Sequence, residues 1–232
     1  MKCVILAGGR GTRLSELTNK IPKPMVKVKG KPILIHIINH YRKYGIKKFI
    51  IAAGYKKEII KKFFKKVSIK NCDIQVVNTG IHTMTGGRIK RLKKYLLNKT
   101  FLMTYGDGLS NVNIKSLIKF HKKNKKIATL TAVRPPARFG AIKISTKKTV
   151  TYFKEKSNLD EGWVNGGFFV FEPKLFDFIK NDKTFLEREP LQKISKLKQL
   201  YAFKHTGFWQ CMDTLRDKEL LEKKLRKLKN EM

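Results

Sequence analysis

Apolar and polar residues recur with two different periods along this chain. Short apolar runs predict buried strands, whereas apolar residues at every third or fourth position predict amphipathic helices. In the first third, a strand, a helix, a strand, a helix and a strand are predicted in turn, over residues 2–7, 32–46, 47–54, 57–66 and 72–78. Gly45 stands where a helix end favours a left-handed residue. This order predicts a parallel sheet wrapped by helices on both faces.

The same alternation continues through the rest of the chain. Helices are predicted over residues 86–96, 113–124, 174–181, 191–197 and 214–228, and strands over residues 100–107, 127–133 and 200–205. Shorter pieces, which predict antiparallel strands added to the sheet, lie at residues 141–145, 149–156 and 163–173. Because no repeat or low-complexity linker divides the chain, we expect one α/β domain over residues 1–232.

Positive charge sets this composition apart from that of an average globular protein. The chain has 53 Lys and Arg against 17 Asp and Glu, a formal charge of +36, while 41% hydrophobic residues exclude a largely disordered chain. The electrostatic field of such a charge attracts nucleic acid, anionic lipid or phosphorylated small molecules. The lysines are spread along the whole chain, which favours solvated surfaces over a dedicated binding tail. A basic nucleic-acid-binding protein is the alternative from a different functional class.

The cysteines and the apolar runs bear on the compartment. Cys3, Cys72 and Cys211 are far apart and form no C-x-x-C pair, so the sequence predicts neither a zinc site nor a disulfide framework. The first apolar run is too short for a signal peptide, and no stretch approaches eighteen consecutive apolar residues. We therefore expect a soluble cytoplasmic protein without a membrane partner.

A glycine-rich loop, AGGRGTR at residues 7–13, follows the first predicted strand. Ligands bind at this edge of a parallel sheet, and glycines let backbone N–H groups approach an anion closely. Arg13 adds a bidentate donor fork and Thr12 a hydroxyl. Neither the dinucleotide fingerprint nor the P-loop pattern matches, since Leu14 stands where the former needs its third glycine. The loop predicts a polyphosphate site; a tight turn without a ligand is the alternative.

A single lysine, Lys23, lies between Pro22 and Pro24. The two prolines stiffen the backbone and so fix the direction of this side chain. A lysine held in this way can neutralise a phosphoryl group during transfer. We expect its side chain to face solvent and to contribute little to stability.

Taken together, the glycine loop and the Pro-Lys-Pro segment resemble the nucleotide-binding segment of the sugar-phosphate nucleotidyltransferases. Later motifs, above all TYGDG at residues 104–108, NGGFFVF at residues 165–171 and GFWQCMDT at residues 207–214, resemble the glucose-1-phosphate cytidylyltransferase branch of that family. The resemblance extends over essentially the whole chain. It implies a Rossmann-like mixed, mainly parallel sheet of the nucleotide-diphospho-sugar transferase type, with a nucleotide-binding half at about residues 1–110 and a sugar-binding half at about residues 111–232.

The resemblance also implies an activity. CTP and a sugar 1-phosphate, most simply glucose 1-phosphate, would give a CDP-sugar and pyrophosphate with Mg²⁺ as cofactor, in a homo-oligomer without a nucleic-acid partner. The same chemistry with another nucleotide or acceptor, as in a thymidylyl-, guanylyl- or phosphocholine-type transferase, is the alternative within the family.

Site residues follow from the resemblance position by position. Arg13 and Lys23 are the implied catalytic residues, on the β- and γ-phosphates and on the transferred phosphate. The implied nucleotide site consists of Leu6, Ala7, Gly8, Gly9, Gly11, Thr12, Arg13, Lys23, Thr83, Gly86, Gly87, Arg88 and Asp107. The implied metal ligands are Asp107 and Asp213, and the implied sugar-phosphate site consists of Gly140, Glu155, Lys156, Asn165 and Gly166.

Plainer interpretations exist for several of these residues. Asp213 is also suited to cap the last helix, Arg88 to be a surface charge, and Glu155 to lie at a solvated strand end. The chain also departs from the cytidylyltransferase pattern, because residues 68–83 replace a longer excursion and Cys211 replaces a proline. Arg10 replaces a smaller or apolar residue and is not assigned a role. These departures bear on the sugar, the base and the assembly of subunits.

Overall fold

The computed structural model describes residues 1–135, 141–154 and 162–230. Its strands are β1 Lys2–Ala7, β2 Lys27–Val28, β3 Lys31–Pro32, β4 Lys48–Ala53, β5 Asp73–Asn78, β6 Phe101–Tyr105, β7 Gly108–Ser110, β8 Ala128–Val133, β9 Ala141–Ile144, β10 Val150–Lys154, β11 Val164–Phe171, β12 Leu200–His205 and β13 Trp209–Cys211. Its α-helices are α1 Ser15–Thr18, α2 Ile33–Lys43, α3 Lys57–Lys66, α4 Thr85–Arg91, α5 Lys93–Leu96, α6 Ile114–Asn124, α7 Glu189–Lys196 and α8 Leu215–Asn230. Single 3₁₀ turns span Thr12–Leu14, Lys23–Met25 and Pro173–Phe178.

A twisted sheet runs through the middle of the protein, with the strand order β12-β8-β11-β6-β1-β4-β5. Among these described strands, β11 alone is antiparallel to its neighbours, β6 and β8. The parallel strands therefore present their carboxyl ends at one edge, and β11 begins there. The predicted mixed, mainly parallel sheet is confirmed. Because β11 lies between β6 and β8, the first and second halves of the chain share one sheet.

The inner strands β1, β4, β6, β8 and β11 bury residues on both of their faces. On β1, Cys3 and Ile5 point to one side, and Val4 and Leu6 to the other, as the two-residue period of a strand requires. Residues of α2, α3, α6 and α8 pack against the first side. Residues of α4, α5 and α7 pack against the second. Helices therefore cover both faces, as predicted.

Two predictions about the second half are wrong. The strands β9 and β10 pair with each other and stay outside the sheet, whereas β11 enters it. In the pair, Ile142 and Phe153 lie opposite each other and are 51% and 68% exposed, so the apolar positions of this hairpin do not reach the core. In place of the helix predicted at residues 174–181, the structure has the 3₁₀ helix Pro173–Phe178, because the backbone becomes extended at Ile179.

The described helices are amphipathic rather than apolar throughout. None of them, within residues 1–135, 141–154 and 162–230, has the combined length and apolar character that a bilayer crossing requires.

One imidazole on α2, that of His40, lies among aromatic rings. Its ring meets those of Tyr44 and Phe168 edge to face, at centroid distances of 5.4 and 6.1 Å. Its Nε2 atom is buried and has no hydrogen-bond partner among the described residues. Burial, together with the nearby charge of Lys43, lowers the pKa of His40 from 6.5 to about 4, against a hydrogen bond with the Val112 backbone that raises it. His40 is therefore neutral in the folded protein at neutral pH.

We predict that His40 makes the fold sensitive to acid. Since the pKa of His40 is lower in the folded state, the unfolded state takes up a proton first as the pH falls from about 6.5 to 4. The wild type should therefore lose on the order of 1–2 kcal/mol more unfolding free energy between pH 7 and pH 4.5 than His40→Phe. Urea unfolding of both proteins at the two pH values measures this difference, and equal losses would contradict it.

Candidate active site

A cleft of about 320 Å³ opens at the sheet edge where the carboxyl ends of β1 and β6 meet. Most of the predicted nucleotide-site residues line it, namely Leu6, Ala7, Gly8, Gly9, Gly11, Thr12, Arg13, Lys23, Thr83, Arg88 and Asp107. Its other lining residues, which sequence reasoning did not select, are Pro24, Met84, Thr85, Tyr105, Gly106 and Phe185. The predicted phosphate loop and the predicted lysine thus face one common space.

The glycine loop needs glycine at Gly11. This residue has φ +68°, and a Cβ there would lie 2.9 Å from the methyl group of Thr18 and 3.2 Å from Cβ of Lys23. The Thr18 hydroxyl donates to the Gly11 carbonyl at 2.9 Å. The loop therefore folds tightly over the segment that carries Lys23.

Arg88 lies beneath the loop and is 4% exposed, so it is not a surface charge. Its guanidinium donates to the Gly8 carbonyl at 2.9 Å, to the Thr79 hydroxyl at 2.7 Å and to the Gly80 carbonyl at 2.6 Å. Burial, and then the charge of Arg91, lower the pKa of Arg88 to about 10. A Cβ on Gly8 would lie 2.2 Å from this guanidinium, so the glycine makes room for the arginine from below.

The two glycines at the start of α4 have a different environment from the one the resemblance implies. Gly86 and Gly87 are buried and do not line the cleft. Cβ atoms on them would lie 2.8 Å from the Thr184 carbonyl and 2.5 Å from the Asp182 carbonyl. They let α4 pack closely against the segment before α7, while Thr83, just ahead of them, lies in the cleft wall.

Lys23 joins the two predicted metal ligands. Its Nζ lies 2.8 Å from Oδ2 of Asp107 and 2.7 Å from Oδ1 of Asp213. The residue is 8% exposed, so the expectation that it faces solvent is wrong: the Pro-Lys-Pro turn directs it inward onto the carboxylates. Burial by itself would lower the pKa of Lys23, but the two aspartates outweigh it and raise the pKa above its usual value.

Two short strands bring the aspartates together across the chain. Asp107 follows β6 in a turn, and β7 pairs antiparallel with β13 immediately after it. The Met212 N–H donates to the Asp107 carbonyl at 2.8 Å, which places Asp213 beside Asp107. Arg13, whose side chain is 72% exposed, donates to the second Asp213 oxygen at 2.7 Å. Burial would raise the pKa of Asp213, but Lys23 and Arg13 lower it overall.

Asp213 does not cap α8. The backbone N–H of Asp217 donates to the Thr214 hydroxyl at 3.2 Å, and the Thr214 N–H donates to the Asp217 carboxylate at 3.0 Å. This reciprocal pair makes Thr214 the capping residue. The carboxylate of Asp213 is therefore directed to Lys23 and Arg13 instead.

The two aspartates suit a magnesium ion that also binds phosphate. One carboxylate oxygen from each converges on a single cationic atom, the Lys23 ammonium, within 2.8 Å. No group of three or more metal-ligating side chains occurs among the described residues. Mg²⁺ is commonly held by one or two carboxylates and completes its shell with water and substrate phosphates. The two carboxylates of Asp107 and Asp213 fit this mode of Mg²⁺ coordination.

The turn Asn165–Gly167 lies at the start of β11, at the same edge. It is called here the sugar turn, because the family resemblance predicts that Asn165 and Gly166 bind the sugar phosphate. The Asn165 side chain accepts from the Gly167 N–H at 2.9 Å, and the Trp209 indole donates to the Gly166 carbonyl at 2.8 Å. Gly167 has φ +80°, and a Cβ there would lie 2.6 Å from the Tyr105 ring. The remaining residues predicted to bind the sugar phosphate, Gly140, Glu155 and Lys156, lie outside the described residues.

Sequence reasoning missed a carboxylate that binds two residues of the cleft wall. Glu187 accepts from the Tyr105 hydroxyl at 2.6 Å and from the Thr85 hydroxyl at 2.6 Å. Burial, and then Glu187, raise the pKa of Tyr105 well above its usual value. Tyr105 belongs to the TYGDG motif, so the sequence had already marked its surroundings as part of the site. Glu187 lies between the helices predicted at residues 174–181 and 191–197, in a segment without a motif, so nothing pointed to it.

Comparison with known proteins gives consistent results. The nucleotidyl transferase family matches residues 2–222. The chain is 48% identical to the glucose-1-phosphate cytidylyltransferase of Salmonella typhi, over an alignment of 244 residues that covers 96% of this chain and 95% of that protein. It is 41% identical to the probable glucose-1-phosphate cytidylyltransferase of Bacillus subtilis, with 96% and 94% covered. Since the first alignment is longer than the 232-residue chain, the Salmonella protein has residues without a counterpart here.

A solved structure shares the fold. The crystal structure of HddC from Yersinia pseudotuberculosis complexed with GMP-PN has a TM-score of 0.76 and 25% identity to this chain, with 97% of this chain and 99% of that chain covered.

We predict that Arg88 stabilises the loop through its fork of donors. Arg88→Lys keeps the charge but cannot reach the carbonyls of Gly8 and Gly80 and the Thr79 hydroxyl together, so the unfolding free energy should fall by roughly 2–3 kcal/mol. The matched control is Arg91→Lys on the same helix, which alters a half-exposed ion pair with Asp182 and should cost under about 1 kcal/mol. Urea unfolding compares them, and equal losses would refute the role of Arg88.

Proposed function

Because the chain belongs to the nucleotidyl transferase family, we propose that it transfers a cytidylyl group from CTP to a sugar 1-phosphate, most simply glucose 1-phosphate. The products are a CDP-sugar and pyrophosphate. The observation that carries this proposal is the cleft at the carboxyl edge, where the glycine loop faces a buried lysine that joins two aspartates. Such a site neutralises and positions phosphates, which is what this chemistry requires.

The phosphates of the nucleotide would lie against the loop at residues 8–13. Backbone N–H groups of the loop suit a row of phosphates, and the exposed guanidinium of Arg13 can hold the β- and γ-phosphates in bidentate fashion. The buried charge of Arg88, which donates only to uncharged groups among the described residues, adds attraction from behind Gly8.

The reaction needs no side-chain nucleophile. An oxygen of the sugar 1-phosphate, already an anion at neutral pH, forms the bond to the α-phosphorus, and the bond between that phosphorus and the pyrophosphate oxygen breaks. Lys23 would neutralise the transferred phosphate, since this buried residue lines the cleft. Asp107 and Asp213 would hold Mg²⁺, which when bound offsets negative charge on the phosphate oxygens.

The sugar side of the site is proposed around β11. The hydrogen bond from Trp209 to Gly166 connects the sugar turn to the segment that carries Asp213. Gly140, Glu155 and Lys156 are proposed to complete this side. On this proposal the nucleotide-binding half spans about residues 1–110 and the sugar-binding half about residues 111–232. We also propose a cytoplasmic, homo-oligomeric enzyme; a reducing compartment suits Cys3, Cys72 and Cys211, which are all free thiols.

The proposed reaction is tested by a pyrophosphate-release screen. The purified chain is incubated with Mg²⁺, one of CTP, dTTP, UTP or GTP, and each of several sugar 1-phosphates. We expect CTP with glucose 1-phosphate to give the fastest release, and excess EDTA to abolish it. A faster reaction with another nucleotide or sugar phosphate would replace the proposed pair while keeping the chemistry. Absence of release from every combination would overturn the proposal.

We predict that Lys23→Met lowers kcat by about 100- to 1000-fold, because a charge that neutralises the transferred phosphate is lost. The variant also leaves Asp107 and Asp213 facing each other without the ammonium, so its fold is checked by circular dichroism at the assay temperature. Lys20→Met is the matched control, since Lys20 is an exposed lysine of the same segment and should keep wild-type turnover. Wild-type kcat in folded Lys23→Met would disprove the assigned role.

A further inference from the structure

One indole connects the sugar turn to the strand that carries a metal carboxylate. Trp209 opens β13, and its Nε1 donates to the carbonyl of Gly166 at 2.8 Å. Trp209 does not line the nucleotide cleft; it is partly buried and packs against the buried core cluster on the α2 side of the sheet. Its single polar atom is thus directed at the sugar turn.

The strand that carries Trp209 is fixed at both ends. Trp209 pairs with Ser110 and Cys211 with Gly108 across the β7–β13 ladder. The Ser110 hydroxyl donates to the Phe208 carbonyl at 2.7 Å. Beyond the ladder, the backbone bond from Met212 to Asp107 holds the aspartates side by side. The indole therefore extends from the same rigid platform that positions Asp107 and Asp213.

The Gly166 carbonyl depends on this donor. Gly166 is buried, and a Cβ on it would lie 2.7 Å from a Val133 methyl group and 3.0 Å from the Thr131 carbonyl, so the turn is closely packed against β8. A buried carbonyl that loses its donor bears the cost of desolvation and favours a shift of the backbone towards water. Removing the indole N–H would thus move the sugar turn relative to the aspartates.

We propose that Trp209 is a positioning residue for the sugar 1-phosphate: its hydrogen bond to Gly166 sets the distance between the sugar turn and the Asp107–Asp213 pair. This inference rests on the proposed function, because the attacking phosphate oxygen must meet the α-phosphorus that the aspartate side holds in place. Errors of about 1 Å in such a geometry lower rates substantially. The nucleotide side, which Trp209 does not touch, should be unaffected.

The kinetic test uses Trp209→Phe, which keeps an aromatic ring and removes the donor. With CTP saturating, kcat/KM for glucose 1-phosphate should fall about tenfold, the effect of one lost hydrogen bond. The KM for CTP should stay within about twofold of the wild-type value, since the cleft contacts are intact. Trp163→Phe is the matched control, because it makes the same exchange at the other indole, which is 38% exposed and lies against Arg134, and it should leave both KM values unchanged.

The possible outcomes separate the two proposals. If the wild type releases no pyrophosphate, the proposed function fails, whatever Trp209 does. If the wild type is active and Trp209→Phe only lowers the unfolding midpoint, or raises both KM values equally, Trp209 is structural and this inference is wrong.

Fluorescence gives a readout that does not depend on turnover. The chain has two tryptophans, so Trp163→Phe leaves Trp209 as the single indole emitter. We expect CDP-glucose with Mg²⁺ to shift or quench this emission, and CTP with Mg²⁺ to change it far less. Equal responses to the two nucleotides, or no response to CDP-glucose at concentrations that inhibit turnover, would overturn the assignment.

Discussion

A buried ammonium between two carboxylates is the interaction on which the rest of the site depends. Asp107 and Asp213 come from distant parts of the chain and, side by side, would repel each other in a partly buried position. Lys23 offsets both charges at once, and its own burial is tolerable because it has these two partners. The Pro-Lys-Pro turn, the β6 turn and the β7–β13 ladder all converge on this one contact. The glycine loop is in turn packed on the segment that supplies the lysine.

The charge of +36 and the selectivity of the site have separate origins. Most lysines lie on solvated surfaces, whereas at the site Arg13 and Lys23 contact two of the rare carboxylates. A general field draws any polyanion towards the protein. On the proposed function, the distances among Arg13, Lys23, Asp107 and Asp213 would distinguish a triphosphate with its metal from other anions. The buried Arg88 contributes to the same cradle through uncharged partners among the described residues.

The sequence predicted those elements whose formation depends on the local pattern of apolar residues and glycines. The strands β1, β4, β6 and β8 and the helices α2, α3 and α6 follow from apolar period, and the phosphate loop from its glycines and its place after a strand. The convergence of Asp107 and Asp213 on Lys23 could not be predicted without the family resemblance, because β7 and β13 are three residues long and carry no period. The burial of Lys23, the hairpin β9–β10 and the role of Glu187 depend on packing between distant segments, which no single stretch of sequence encodes.

The position of β11 has a consequence for how the chain comes to be folded. During synthesis, β1, β4, β5 and β6 emerge first and can assemble, but the outer edge of β6 stays open until residues 164–171 are made. An unpaired apolar edge is a site for mispairing with other chains. The late arrival of β11 closes that edge and, in the same step, starts the turn on which Trp209 acts. Closure of the β6 edge and formation of the turn at Asn165–Gly167 are therefore one folding event, whereas β12 and Trp209 follow later in the chain.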